Sequence, residues 1–333
     1  MWSVRLGACA VLLAVVWSAF AGSAAEPPKY AEHPFMGEYR GSGVMVLAGS
    51  PARVEAKVWP VKGGYRAAIL EKSGERIELE GKVEEGKLAL AGAAAETQWR
   101  AAVADGKLSA ESTAGAKLDL EAYERVPPTL GAKPAPGAIV LLAFEEGKPP
   151  PLEEWTNSAW RPMPDGSLQV GKGDTATRRE FGDCRLHLEF MTPLMPEGVG
   201  QGRGNSGVYF QDRYEVQVLD SFGLEAKDNE CGGIYQVAAP KENASLPPER
   251  WQTYDIEFRA PRFDAAGAKI ADARATVVHN GISIHEGQEI PKPTGGTRGG
   301  GEVPKGALRL QDHGNPVRYR NIWIVQIEEN PPE

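Results

Sequence analysis

The chain has 333 residues, 41% of them hydrophobic and 25% charged, with a formal net charge of −8. That length leaves room for two domains and a sizeable core, so neither a disordered nor a fibrous protein fits. The negative balance disfavours nucleic acid as a partner, and three cysteines are too few for a disulfide scaffold or a thiolate metal site.

Residues 1–25 carry Arg5, an apolar run over 6–20 and the small residues Ala21, Gly22, Ser23, Ala24 and Ala25, the order of a secretory signal. The run is shorter than the roughly 20 residues of a membrane-spanning helix. It also follows Cys9 instead of preceding it, which is the wrong order for a lipid-modified N-terminus. Cleavage near Ala25 is expected, giving an exported chain, periplasmic or extracellular, without a membrane span. Losing Arg5 makes the mature chain slightly more acidic. Cys184 and Cys231 remain, able to pair in an oxidising compartment or to stay as buried thiols.

Residues 30–125 alternate short period-two segments with turn signals. Arg76-Ile77-Glu78-Leu79-Glu80, Lys87-Leu88-Ala89-Leu90 and Lys117-Leu118-Asp119-Leu120-Glu121 are separated by pairs such as Glu85-Gly86 and Asp105-Gly106. This reads as a small β-meander domain of hairpins, with no residues that suggest chemistry. Residues 126–137, with Pro127, Pro128, Pro134 and Pro136, read as a linker. A second domain spans 138–330. Strands are expected over 139–144, 186–190, 208–211, 214–219, 254–259 and 322–327, the first pairing with the last. Asn280-Gly281 sets a type I′ hairpin between 274–279 and 282–285. Many short antiparallel strands without helical periodicity make the chain all-β and this domain a sandwich or jelly roll.

Chemistry concentrates in the hairpin over 205–220. Val208, Phe210, Val216 and Val218 should face the core, and Tyr209, Gln211, Glu215 and Gln217 the other side. A three-residue turn at 212–214 would set Gln211 opposite Glu215 and Tyr209 opposite Gln217. Asp220 joins that face only if a β-bulge near Leu219 restores its phase. Glu215, Gln217 and Asp220 then echo, loosely, the acid spacing of jelly-roll glucanases, with a glutamine replacing the middle acid. A second strip, Leu308-Arg309-Leu310-Gln311-Asp312-His313-Gly314, places Arg309, Gln311 and His313 on one face, and His313 is the best histidine for proton transfer. His187, His279 and His285 read as exposed. The glycine-rich stretch 291–306 is too long for a plain connector and reads as a mobile rim over the site or a disordered insertion.

These segments, with Trp251, His279-Asn280-Gly281 and Tyr319-Arg320-Asn321-Ile322 in the same order, resemble the 3-keto-disaccharide hydrolase family from about residue 138 to 327. The resemblance implies a concanavalin A-like jelly roll, export, a carbohydrate substrate oxidised at C3, and a separate sugar 3-dehydrogenase to supply it. Glu215, Asp220 and His313 become the acid–base candidates. Asn205, Tyr209, Gln211, Gln217, Arg309 and Gln311 become the substrate-binding ones, with Tyr209 a stacking platform. No cofactor is implied with certainty, although a divalent metal could hold an enolate. Direct glucanase-like hydrolysis by Glu215 and Asp220 and a lectin-like binding module are the competing readings.

Overall fold

The computed structural model describes residues 32–44, 51–71 and 75–328, so the secretory signal expected over residues 1–25 lies outside the described residues. Eight strands, β1 (Gly37–Val44), β2 (Pro51–Val61), β3 (Gly64–Glu71), β4 (Arg76–Glu84), β5 (Lys87–Ala94), β6 (Thr97–Ala104), β7 (Lys107–Ser112) and β8 (Lys117–Tyr123), pair in chain order. β1 also pairs with β8, closing the meander into a barrel. The period-two pattern explains this: Ile77, Leu79, Leu88, Leu90, Trp99, Val103, Leu108, Leu118 and Leu120 all point into one buried cluster while their neighbours face out. Glu85-Gly86 and Asp105-Gly106 take the paired positive φ angles of tight hairpin turns.

The second unit is a sandwich of two antiparallel sheets. Its strands are β9 (Ile139–Leu142), β10 (Arg161–Pro162), β11 (Leu168–Gln169), β12 (Thr175–Phe181), β13 (Cys184–Met191), β14 (Ser206–Phe210), β15 (Tyr214–Val218), β16 (Gln252–Arg259), β17 (Arg262–Phe263), β18 (Lys269–Ala271), β19 (Ala273–His279), β20 (Ile282–Ile290), β21 (Gly306–Leu310) and β22 (Arg318–Gln326). One sheet runs β10-β11-β22-β13-β16-β19-β20, and β9 pairs with β22, so the domain's first and last long strands meet as expected. The other runs β12-β21-β14-β15, and β17 and β18 form a small ribbon. Val208, Phe210, Val216, Val218, Leu308 and Leu310 meet Leu186, Leu188, Ile256 and Phe258 in the shared core. Asn280 and Gly281 take φ of 52° and 81°, the turn that their sequence demands. Cys184 and Cys231 are both free and buried, and no residue of the described chain is placed in a helix long and apolar enough to cross a membrane.

Two features differ from the sequence reading. The Pro-rich segment is not a bare connector. Thr129 donates to Asp255 (2.6 Å), Gly131 N to Glu189 Oε1 (2.6 Å), and Asn321 donates to Ala132 O (2.9 Å). It therefore covers His187, which is buried. Burial alone would lower the pKa of His187, but the Asp255 and Glu189 carboxylates raise it to about 9. His279 and His285 are also buried, hydrogen-bonded to Gln252 Oε1 (3.0 Å) and Gly232 O (2.8 Å). Alternation shows which face a side chain takes, but not whether another segment lies on that face.

The barrel docks on the loop after β15. Trp59 and Ala68 pack against Phe222, Lys57 donates to Asn243 O (3.3 Å), and Asn243 donates to Ser221 O and Leu224 O.

Candidate active site

The outer face of β14, β15 and β21 carries the polar strip, in a register different from the expected one. Gln211 and Asp212 take positive φ (53° and 59°), and Arg213 N donates to Phe210 O (2.9 Å). The turn therefore begins one residue early, Tyr209 lies opposite Glu215 and Gly207 opposite Gln217. No glycine marks where this turn begins, and Gln211 is not a residue type that favours positive φ. Gln211 leaves the face altogether, and its amide donates to Pro304 O (3.0 Å).

Glu215 lies at the centre. It is 2% exposed, and its Oε1 sits above Gly207, where a Cβ would come within 2.3 Å of it. Only glycine at 207 leaves that space. Burial pushes the Glu215 carboxyl up to about 7, against the pull of Tyr209 and Arg309 and helped by Asp174. Tyr209 is itself buried. Arg309 lies 3.6 Å over its ring, its hydroxyl donates to Gly295 O (3.1 Å) and accepts from Gln311 Nε2 (3.2 Å). A ring so covered is no stacking platform for a sugar. Burial, reinforced by Glu215, raises the Tyr209 pKa, so its hydroxyl stays protonated.

Arg309 is equally occupied. It pairs with Asp174 and Asp212 and donates to Gly296 O (2.8 Å), so it positions Tyr209 and the field around Glu215 instead of reaching a ligand. Beside Glu215, the amides of Asn205 (2.8 and 3.2 Å) and Gln217 (3.1 Å) both donate to Gln201. Their acceptor oxygens, Asn205 Oδ1 and Gln217 Oε1, are buried without a partner. Two unpartnered acceptors, on residues whose amides share Gln201 Oε1, are what a hydroxylated ligand would satisfy.

Asp220 and His313 lie further out. β15 ends at Val218 with no bulge in its pairing, and Leu219 joins the core. Asp220 is buried, with Arg203 Nε 3.2 Å from Oδ2 and Phe222 N donating to Oδ1 (3.2 Å). Burial raises its pKa to about 6, although Arg203 opposes the shift. The glucanase spacing of acids is thus not built on one bulged strand here. β21 ends at Leu310, and His313 is exposed in the following loop, between Gln311 and Asn315, whose Oδ1 accepts from Asn205 N (2.8 Å).

The glycine-rich stretch is pinned to this face. Thr294 Oγ1 accepts from Glu215 N (2.9 Å), Thr297 donates to Asp212 O (2.9 Å), Arg213 donates to Gly301 O (2.8 Å), and Glu302 accepts from Tyr214 (2.7 Å). A Cβ at Gly296 would strike the Tyr209 hydroxyl at 2.4 Å, which explains a glycine there. Sequence reasoning missed Gln201 and Asp174, since neither belongs to a periodic run. Among the described residues no group of three or more His, Cys, Asp or Glu side chains is placed to hold a metal ion.

Residues 140–325 match the sequence profile of the 3-keto-alpha-glucoside-1,2-lyase-like domain. Among solved structures, a candidate glycosyl hydrolase from Parabacteroides distasonis is 33% identical with a TM-score of 0.52, covering 57% of this chain and 84% of that one. Two further candidate glycosyl hydrolases from the same organism are 17% and 22% identical. Their TM-scores are 0.43 and 0.41, covering 58% and 57% of this chain and 95% and 99% of theirs. No curated protein matches the chain.

Proposed function

The chain belongs to the 3-keto-alpha-glucoside-1,2-lyase-like domain family, and on that premise we propose that it is an exported enzyme that cleaves glycosides oxidised at C3. A ketone at C3 acidifies the C2 hydrogen. A base takes that proton, and the electron pair moves into the ketone as an enolate. Its collapse forms the C1–C2 double bond and expels the C1 oxygen, which takes up a proton. Water then adds oxygen to C1 and hydrogen to C2, giving net hydrolysis.

The observation that carries this reading is Glu215, a buried carboxyl whose pKa of about 7 suits proton transfer near neutral pH. Glu215 is the base. Tyr209, kept protonated, is the neutral donor beside it. Asn205 and Gln217 accept hydrogen bonds from sugar hydroxyls through their unpaired oxygens. His313, exposed at the end of the face, meets the leaving oxygen. Asp220, tied to Arg203, holds the neighbouring loop. Because Glu215 is 2% exposed, the sugar reaches it as Gly295 and Gly296 lift from Tyr209 and Arg309. The substrate would come from a separate sugar 3-dehydrogenase. A divalent metal at the enolate is compatible with this chemistry, and no step depends on one.

The test is turnover of a 3-keto disaccharide and its unoxidised parent in deuterated water. The expected result is cleavage of the keto form alone, with one deuterium at C2 of the product. Cleavage of both without deuterium at C2 means direct hydrolysis, and cleavage of neither means a binding module.

A further inference from the structure

A cavity of about 300 Å³ lies between the mouth of the barrel and the 244–250 segment of the sandwich, and none of its lining residues belongs to the sheet face that carries Glu215. Its volume falls at the lower end of the range of small-molecule sites, roughly 300 to 1,000 Å³, and such sites favour junctions between folded units. Both units build it. Met36, Tyr39 and Tyr123 come from the barrel, and Leu246 and Pro247 from the sandwich. Met36 and Leu246 are almost fully buried, whereas Tyr123 is 40% exposed. These residues form an apolar wall with an aromatic edge.

The polar groups are two ion pairs. Arg125 meets Glu38 at 3.1 Å, and Arg250 pairs with Glu124. All four line the cavity, so its formal charge is zero. Each guanidinium is already neutralised, which leaves little attraction for a phosphate or a free carboxylate. What the pairs offer is planar donors beside planar acceptors. Arg125 is also fixed by the sandwich, its Nη2 donating to Ala244 O (3.0 Å) and Ser245 O (3.2 Å).

We infer that this junction is a second ligand site, one that binds a short neutral saccharide. Vicinal hydroxyls both donate and accept, matching the Arg–Glu pairs, and the C–H faces of a sugar ring suit Met36, Leu246 and the exposed edge of Tyr123, whose ring carries Arg40 at 4.0 Å over one face. The site gives the barrel a role: it holds a saccharide near the catalytic domain without reacting with it. The inference uses no step of the proposed reaction.

The experiment follows the Met36 methyl resonance in mature full-length chain carrying carbon-13 methionine methyls, assigned with Met36→Leu. Cellobiose, maltose and trehalose are the probes, and inorganic phosphate is the control. At least one disaccharide should shift that resonance saturably, with half-saturation on the order of 1 mM. Tyr123→Ala or Arg250→Gln should weaken binding at least tenfold, and Gln217→Ala should leave it unchanged. Two separate variants guard against one failing to fold. Three results would overturn the inference: no shift with any disaccharide, an equal shift with phosphate, or loss of the shift in Gln217→Ala. None of these bears on turnover of a 3-keto glycoside.

Discussion

Replacing Glu215 with glutamine should cost activity and add stability, and the pH at which stability is gained tests the site. The carboxyl is raised from 4.5 to about 7, chiefly by burial. A carboxyl raised on folding favours the folded chain while protonated. That contribution is fully present below 4.5 and is lost as pH rises through about 7. Each pH unit of displacement is worth about 1.4 kcal/mol, so above pH 7 the ionised Glu215 carries a penalty on the order of 3 kcal/mol that glutamine lacks. Urea unfolding of parent and Glu215→Gln at pH 4 and pH 8.5 measures this directly. The difference between the two proteins cancels other titrating groups such as Asp220. The variant should match the parent at pH 4, exceed it by a few kcal/mol at pH 8.5, and turn over a 3-keto disaccharide at least about a hundredfold more slowly. Equal stability at both pH values would mean that Glu215 is solvated and unperturbed. Full activity in the variant would remove it from the chemistry.

Gly207→Ala places a methyl group within 2.3 Å of Glu215 Oε1. The carboxylate can swing aside, so the chain should stay folded by circular dichroism while kcat falls about tenfold or more. His313→Ala should leave stability within about 0.5 kcal/mol, as for other exposed positions, yet lower turnover about a hundredfold. Asp220→Asn should show the reverse in the same paired assays, because it leaves the buried Arg203 guanidinium without its charge partner at a cost of up to about 3 kcal/mol. A catalytic domain beginning at residue 126 should be soluble by gel filtration where one beginning at 138 aggregates, since residues 126–137 cover the His187 and Glu189 cluster.

Period-two alternation marked β4, β5 and β8 of the barrel and β13, β14, β15, β16 and β21 of the sandwich, because a half-buried strand repeats its environment at every second residue. Glu85-Gly86, Asp105-Gly106 and Asn280-Gly281 announced their turns because few other pairs accept two positive φ angles. The Gln211–Asp212 turn uses residues that carry no such signal, and a single-residue error there moved every cross-strand partner. Barrel closure was not legible either. It depends on β1 meeting β8, a pairing between strands that are distant in the chain and that look like any other hairpin strand.

Within the site, alternation correctly placed Tyr209, Glu215 and Gln217 on one face, but it carries no information about what covers that face. By residue type Tyr209 and Arg309 suit contacts with a sugar. In the fold each is consumed by the other, by Asp174 and Asp212, and by the carbonyls of Gly295 and Gly296. Burial in that enclosure lifts the Glu215 pKa against the direct pull of Tyr209 and Arg309, and the charge of Asp174 adds to the rise. This gives Asp174 a part in the chemistry without any contact with substrate. It fixes Arg309, which fixes Tyr209, and its own charge helps to hold the Glu215 proton. A residue of that kind has no sequence signature. Its partners are Arg309 on β21, Arg298 in the glycine-rich stretch and the Asp312 N–H after β21, and only the folded sheet brings them together.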